Sequence, residues 1–472
     1  MLKLLRVCVL LAVAGPAFAQ GLYYKEITKD GRIYVFNNAA RAEAFEASGE
    51  TGTGITRPGA GPNGETVVGD SERALQLFFF KHGISEAVPE PTPPVQTMTW
   101  SDGKTRITTP IAYLELSNRV QVRYTHESPD RNSAILAGTQ AAGDDRDSFR
   151  IRRAKMKLEG WFWIPPNVAP TPNTLPKLSY ELQLNWPGVS TAGNPGAMLE
   201  DATLMFDPAG NGKFRVVAGQ FKVPFGRQEM TSSGNQQFVD RALASNEYAR
   251  GRDTGVAVQG AVMQNKLEYR FGVFNGAGLT RTGNDNDTMQ INGRLMWQPN
   301  GSQVLGQRAW ITGALYSESD LESTTVPIYA LGVQFERNDF HRTTTGDDLK
   351  SDVISFDGTY KYKGFSSVGE FFYRKRQPEQ APTFGSNGGY FQVGKMLNQF
   401  RTWEVAFRYG KRDPSDLIGS DSVTEVRGAV NYYYRRHALK LQMDFGRVET
   451  GRGSTLDPRK DYEFRTQAQF IF

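Results

Sequence analysis

From about Ile111 to Phe472, apolar and polar side chains alternate in short runs separated by Gly, Asn, Asp and Pro clusters. No stretch there carries the longer repeat of an amphipathic helix. "KLSYELQLNW" places Leu178, Tyr180, Leu182, Leu184 and Trp186 on one face. "TWEVAFRYGKR" does the same with Trp403, Val405, Phe407 and Tyr409, and "HALKLQMDFG" with Leu439, Leu441, Met443 and Phe445. In "DYEFRTQAQFIF", Tyr462, Phe464, Ala468, Phe470 and Phe472 share one face and Glu463, Arg465, Gln467 and Gln469 the other. A strict period of two predicts strands with one apolar and one polar face.

A soluble sandwich would also alternate, so the connections and the aromatic positions decide the class. Aromatics gather near strand ends, at Trp163, Trp186, Trp297, Trp403 and Tyr432 to Tyr434, with an aromatic belt expected at Trp161 to Trp163. Tight turns ("DPAGNGK", "MQNK", "KYKGF", "RRHA") alternate with long polar loops at 127–147, 226–252, 276–287, 377–388 and 449–460. Aromatic girdles, with short turns at one rim and long loops at the other, predict a transmembrane antiparallel β-barrel of the outer-membrane type. About 17 alternating runs are present, whereas a closed bacterial barrel has an even number. Assigning directions inward from both ends puts "AWITGALY" (309–316) inside a short-rim connection. The prediction is then an all-β barrel of about 16 strands, with 18 as the alternative, and both termini on the periplasmic side.

The region before the barrel has a different texture. "MLKLLRVCVLLAVAGPAFAQ" has a cationic start, a short apolar core and a small-x-small site, which predicts a cleavable signal peptide over 1–19. Residues 20–88 read as a small α+β module. Two strands surround a Lys29-Asp30-Gly31 turn, a helix begins at Asn37 or Asn38 and stops at Gly49, and a second helix runs between Ser71 and Gly83. Residues 89–110, opening with "PEPTPPV", read as a stiff Pro-rich linker to a barrel spanning 111–472.

Composition narrows the chemistry. With 39% hydrophobic residues the 472-residue chain looks soluble by average, but barrel strands hide from such averages. The only cysteine, Cys8, lies in the signal segment, so no disulfide or thiolate metal site is expected. The formal charge of +5 is mild and gives no ground for nucleic-acid binding. His82, His126, His341 and His437 form no paired-ligand pattern, and no catalytic or nucleotide motif appears, so the chain is not read as an enzyme and no cofactor is expected.

Candidate chemistry lies instead in "SFRIRRAKMKLEGWFW" (148–163). Its alternation puts Ala154, Met156 and Leu158 toward lipid and Arg153, Lys155 and Lys157 toward the lumen, because a base facing the bilayer midplane costs about 2–4 kcal/mol. Arg150 and Arg152 join the lumen face if the register slips at Arg152-Arg153. Two readings of these bases stay open: they guide anions, or they neutralise lumen carboxylates such as Glu159 and Glu181 in a structural ladder.

"FRIRRAKMKLEG" (149–160), "AGQFKVPFGRQEMTSS" (218–233), "FVDRALASN" (238–246), "GRDTGVAVQG" (251–260) and "FGVFNGAG" (271–278), with the terminal Phe472, resemble the phosphate-selective porin O and P family. The resemblance implies a homotrimer of 16-stranded barrels in outer-membrane lipid. It also implies a loop after "FKVPFG" that constricts the pore, and basic side chains that guide anions. Carried onto this chain, the candidates are Arg150, Arg152, Arg153, Lys155 and Lys157, with Arg241, Arg250 and Arg252 at or beside the loop. The loop at about 228–250 also carries Glu229, Asp240 and Glu247, which favours moderate anion preference over a dense phosphate site. The expected function is passive diffusion of small hydrophilic solutes, phosphate or similar oxyanions among them. The alternatives are a scaffolding protein whose 20–88 module binds a periplasmic partner, and a barrel enzyme.

Overall fold

The structure, a computed structural model, describes residues 23–84, 97–109, 112–130, 144–162, 177–186, 198–279, 283–305, 313–342, 347–397, 400–451 and 458–472, apart from the single residues 51, 53 and 102. The signal segment expected at 1–19 lies outside them. The chain divides into two compact units between Pro94 and Val95.

In the first unit β1 (Lys25–Lys29) and β2 (Arg32–Phe36) pair around Asp30 and Gly31, both at positive φ, as a tight hairpin turn requires. Helix α1 (Ala39–Ser48) starts where the Asn38 side chain accepts from the Ala40 and Arg41 amides, and it ends at left-handed Gly49. β3 (Ile55–Arg57), β4 (Thr66–Gly69) and α2 (Glu72–His82) follow, the last capped by Ser71 and stopped by Gly83. Between the two helices the chain thus adds two strands to the two around the Lys29-Asp30-Gly31 turn. Buried Val67 and Val68 carry β4, which pairs in parallel with β2.

This unit repeats one strand–strand–helix motif. Ala42 and Phe45 stand four and seven residues after the Asn38 cap, Leu75 and Phe78 four and seven after the Ser71 cap, and all four are buried. Alternation along β2 sorts them: Ile33 and Val35 pack with Leu75 and Phe78, whereas Phe36 packs with Ala42 and Phe45. The helices therefore cover opposite faces of the sheet.

The second unit opens with a hairpin, β5 (Thr97–Ser101) and β6 (Lys104–Thr108). This corrects the linker expected over 89–110: Thr97–Ser101 and Lys104–Thr108 are paired strands, and β6 pairs with the beginning of the wall. The wall runs β7 (Ala112–Ser128), β8 (Arg146–Phe162), β9 (Leu178–Asn185), β10 (Met198–Phe206), β11 (Arg215–Lys222), β12 (Arg252–Val262), β13 (Leu267–Phe274) and β14 (Gln290–Trp297). It continues β15 (Ile328–Arg342), β16 (Asp347–Tyr362), β17 (Phe365–Pro378), β18 (Phe384–Met396), β19 (Trp403–Asp413), β20 (Val423–Arg435), β21 (Leu439–Thr450) and β22 (Arg459–Ile471). Every neighbouring pair is antiparallel, and β22 closes the ring directly on β7 from Tyr462↔Ser128 to Ile471↔Arg119.

Counting the hairpin, the closed order passes through eighteen strands, β5 to β22. The direct β22–β7 pairing shows that sixteen of them, β7 to β22, make the wall and that β5 and β6 widen it only at one rim. The described part of 309–316 is a turn and a single 3-10 turn at Ala314–Tyr316, not wall. One expected loop shrinks: of 377–388, only 379–383 lie outside β17 and β18.

The barrel is apolar outside and polar inside. On β19, Trp403 and Phe407 are 42% and 48% exposed on the outer face, while Glu404 and Arg408, the residues that follow each of them, are 0% exposed. Buried charge on that scale needs hydrogen-bonded partners, and the next strand supplies them: Arg408 pairs with Glu425, and Glu404 accepts from Asn431 and Tyr433. No helix among the described residues is long and apolar enough to cross a membrane. A closed sheet needs none, since it satisfies every backbone group between strands.

Candidate permeation site

The register of β8 decides where its bases point. Arg153 pairs with Gln121 and Ile151 with Val122, so Arg152 is an extra residue without a partner in the ladder, a β-bulge. Phe149 and Ile151, 80% and 50% exposed, stay on the outer face. Arg150 stands opposite the buried lumen residue Arg123, and Arg152 reaches Asp240 at 3.4 Å. The bulge thus turns Arg150, Arg152 and Arg153 all inward. Trp161 shares the inner face with Lys155, Lys157 and Glu159, and it lines the lumen cavity described below. Of the belt expected at 161–163, only Phe162 faces outward among the described residues.

Most of the candidate bases meet carboxylates. Lys155 binds Glu200, and Lys157 binds Glu159 at 2.6 Å and Glu181 at 3.1 Å. Arg252 donates twice to Asp201, at 3.0 and 2.8 Å. Arg241 pairs with Glu229 at 3.0 Å, and Arg250 donates to the Gly276 carbonyl at 2.6 Å while stacking on Phe340. Arg153 donates to Gln121 at 2.9 Å. The neutralising ladder is therefore physically present, with Glu159 and Glu181 as two of its rungs.

Residues 223–251 fold into the barrel. Val223, Phe225, Ala244 and Tyr248 pack with Ala257, Phe274, Val353 and Phe372 of the wall in one buried apolar cluster. Lys222 Nζ donates to the carbonyls of Glu229, Met230 and Thr231 at the end of a short helical turn, Arg227–Met230, and so offsets the negative end of that turn. Arg227 pairs with Asp357 at 3.1 Å. Asp240, at the loop's centre, contacts Arg123, Arg152 at 3.4 Å, Arg465 at 3.8 Å and Arg153 at 4.0 Å. Burial alone would raise the Asp240 carboxyl, but Arg123, with Arg152 and Arg465, holds it well below the usual carboxylate range.

A second segment enters from the opposite rim. The connection between β14 and β15 brings Leu315, Tyr316, Glu318 and Ser319 into the interior, all buried. Glu318 accepts from Gln228 Nε2 at 2.8 Å and from the Gln237 amide at 2.7 Å, so the two inward segments clasp each other. Together they pack on the inner face of β15 to β21, where Glu404, Tyr433 and Asn431 form a hydrogen-bonded cluster with Ser319.

A cavity of about 800 Å³ runs along the other side, lined from β7 to β13. Its charged lining is Lys104, Arg119, Lys155, Lys157, Arg215 and Arg270 with Glu115, Glu159 and Glu181, and behind it Glu200 and Glu268 pair with Lys155 and Arg270. Of these bases the motifs in the sequence point only to Lys155 and Lys157. Arg119 and Arg123 escape them, although "RVQVRYT" alternates on β7 as clearly as the neighbouring strand does. Arg408, Arg427 and Arg465 sit on polar strand faces that alternation already marks as lumen, but what they bind depends on which carboxylate the fold brings against them.

The model of the family described as phosphate-selective porin O and P matches residues 135–472. The chain belongs to that porin family. This porin is therefore an outer-membrane channel, and its 16-stranded wall agrees with that membership. An anion-selective porin from Comamonas acidovorans shares its fold at 12% identity, covering 76% of this chain and 100% of that one, with a TM-score of 0.52. The outer-membrane channel DcaP of Acinetobacter baumannii does so at 10% identity, covering 76% and 97%, with the same TM-score of 0.52. No curated protein matches the sequence.

Proposed function

We propose that this porin lets small hydrophilic solutes diffuse passively across the outer membrane, that it prefers anions, and that it works as a homotrimer with residues 20–88 on the periplasmic side. The observation that carries the preference is Arg119, a lining base of the cavity whose hydrogen bond goes to the neutral Ser232 hydroxyl at 3.1 Å, while the neighbouring lining bases Lys155 and Arg270 are paired with Glu200 and Glu268. An excess of fixed positive charge at a water-filled constriction lowers the barrier for anions and raises it for cations. The family's description and the anion selectivity of the Comamonas acidovorans porin point the same way. Of Arg150, Arg152, Arg153, Lys155, Lys157, Arg241, Arg250 and Arg252, those bound to carboxylates act as paired rungs that keep the lumen hydrated and shaped. Outside the cavity lining, Arg123, Arg152, Arg153 and Arg465 surround the single carboxylate of Asp240, with Arg465 also bound to Asp444, and they add to the positive charge of the lumen.

A dedicated phosphate site would gather uncommitted bases on the inward loop, and here Arg241 is paired with Glu229 while Arg250 is committed to a carbonyl. The reading is therefore general anion preference. The reversal potential of the reconstituted porin in a potassium chloride gradient tests it: the expected sign is that of a chloride-preferring pore, with no saturable block by added phosphate. A potassium-preferring sign would refute the anion reading, and tight phosphate block would replace general preference by a specific site.

A further inference from the structure

Where the hairpin β5–β6 meets the wall, the lumen changes character. Tyr113 at the beginning of β7 and Trp161 near the end of β8 stand cross-strand to one another, and their rings lie parallel within 11°, with centroids 5.8 Å apart. Both line the cavity. Around them the charges cancel. Lys104 binds Glu115 and lies 3.9 Å from Glu159, Arg106 binds Glu115 at 2.8 Å, and Lys157 bridges Glu159 and Glu181. Three bases thus face three carboxylates, in contrast to Arg119, whose hydrogen-bond partner is neutral. Tyr113 Oη donates to Glu115 at 2.7 Å, which fixes its ring.

We infer that this mouth is a binding station for hydroxylated ring solutes of the saccharide class. A pyranose has an apolar C–H face, which an aromatic plane covers, and a rim of hydroxyls that each donate and accept. Mutually neutralised charges supply strong, oriented donors and acceptors for such a rim without a net field that would select for solute charge. A net-basic lining without aromatics would suit a small oxyanion, and an aromatic lining without charges would suit an apolar solute. The pairing of both features is what selects the sugar. The 800 Å³ space is also within the size usual for sites that enclose a ligand of several rings.

Lys104, Arg106, Tyr113 and Glu115 precede residue 135, where the family match begins, whereas Trp161, Lys157, Glu159 and Glu181 lie within it, so the station joins a part outside the matched region to a part inside it. The hairpin, in a stretch whose prolines read as a linker, is what brings Lys104 to the lumen. The inference rests on the porin reading and adds a solute class at one end of the same channel.

The test is block of single-channel current by maltotriose added to the intact protein in a planar bilayer. Saturable block is expected, with the half-blocking concentration raised about fivefold by Trp161→Ala and similarly by Tyr113→Ala, since an aromatic contact contributes on the order of 1 kcal/mol. Trp161→Phe, which keeps a ring, should restore most of the block, and it carries the test if the alanine variants do not assemble. The reversal potential should not move in any of them, because no charge changes. A conducting, anion-preferring pore that maltotriose does not block, or block indifferent to all three substitutions, overturns the inference alone. Maltotriose block in a pore without anion preference overturns only the anion reading.

Discussion

Single residues in this lumen act through the partner they leave behind. Asp240 is the clearest case, because one loop carboxylate meets four wall guanidiniums, of which Arg465 is also bound to Asp444. Asp240→Asn should free Arg123 and Arg152, raise the anion preference, and loosen the inward loop by about 3 kcal/mol, the lower end for breaking a buried pair. The expected readouts are a larger chloride-directed reversal potential and greater open-channel noise. The pH dependence follows from the direction of the shift. A carboxyl whose folded pKa is depressed contributes stability that is fully present above its unfolded value, about 3.9, and that is lost only as pH falls through the lower folded value. Open-channel noise should therefore stay flat from pH 7 to pH 5, whereas Asp240→Asn should be noisy throughout. A rise of noise in the unmodified porin between those values would show that Asp240 does not hold the loop.

At the scale of elements, the bulge at Arg152 is the device that packs three arginines into four positions without turning any toward lipid. Its removal is instructive because a strand has a period of two. Deleting Arg152 leaves Phe149 and Ile151 outside and Arg150 and Arg153 inside, so the variant should assemble and lose one lumen charge. Deleting Ala154 leaves the bulge but reverses one side of the strand, putting either Arg153 or the pair Lys155 and Lys157 on lipid at about 2–4 kcal/mol each. That variant should fail to give the folded, heat-modifiable band on unheated gels, while the Arg152 deletion should give it.

Alternation alone makes this much of the wall legible in the sequence, including the slip at Arg152-Arg153, because lipid on one side and water on the other enforce it. Elements that depend on non-local contact are not legible in that way. "FGSNGGYF" looks like loop sequence, yet it continues β18: a side chain at Gly388 would meet Tyr248 of the inward loop, so the glycine reports a neighbour and not a turn. Trp161 looks like a belt residue because tryptophan at a strand end has two environments available, and only register distinguishes them. The hairpin at 97–108 is masked by the prolines that precede it, although Lys104 and Arg106 owe their place to Glu115 on the next strand.

At the scale of the whole molecule, the two units call for different kinds of stability. The barrel closes on itself and holds its inward segments with many ion pairs, so loss of one contact is shared. The first unit is a small sheet with one helix on each face, and a domain of that size buries only enough apolar surface to be marginally stable. Phe78 is 0% exposed at the centre of one of its two clusters, and truncation of such a residue costs about 3–5 kcal/mol. Phe78→Ala in the full chain should therefore unfold the first unit while the barrel persists. Limited trypsin digestion in detergent should then cut between Lys25 and Lys81 in the variant and spare the parent, with conductance and reversal potential equal in both. If conductance changed as well, the module would have to act on the pore, and a module independent of permeation would be the wrong description of it. If trypsin spared the variant, the paired-motif core would be stronger than its size suggests, and a partner copy covering it in the proposed oligomer would be the cause to test.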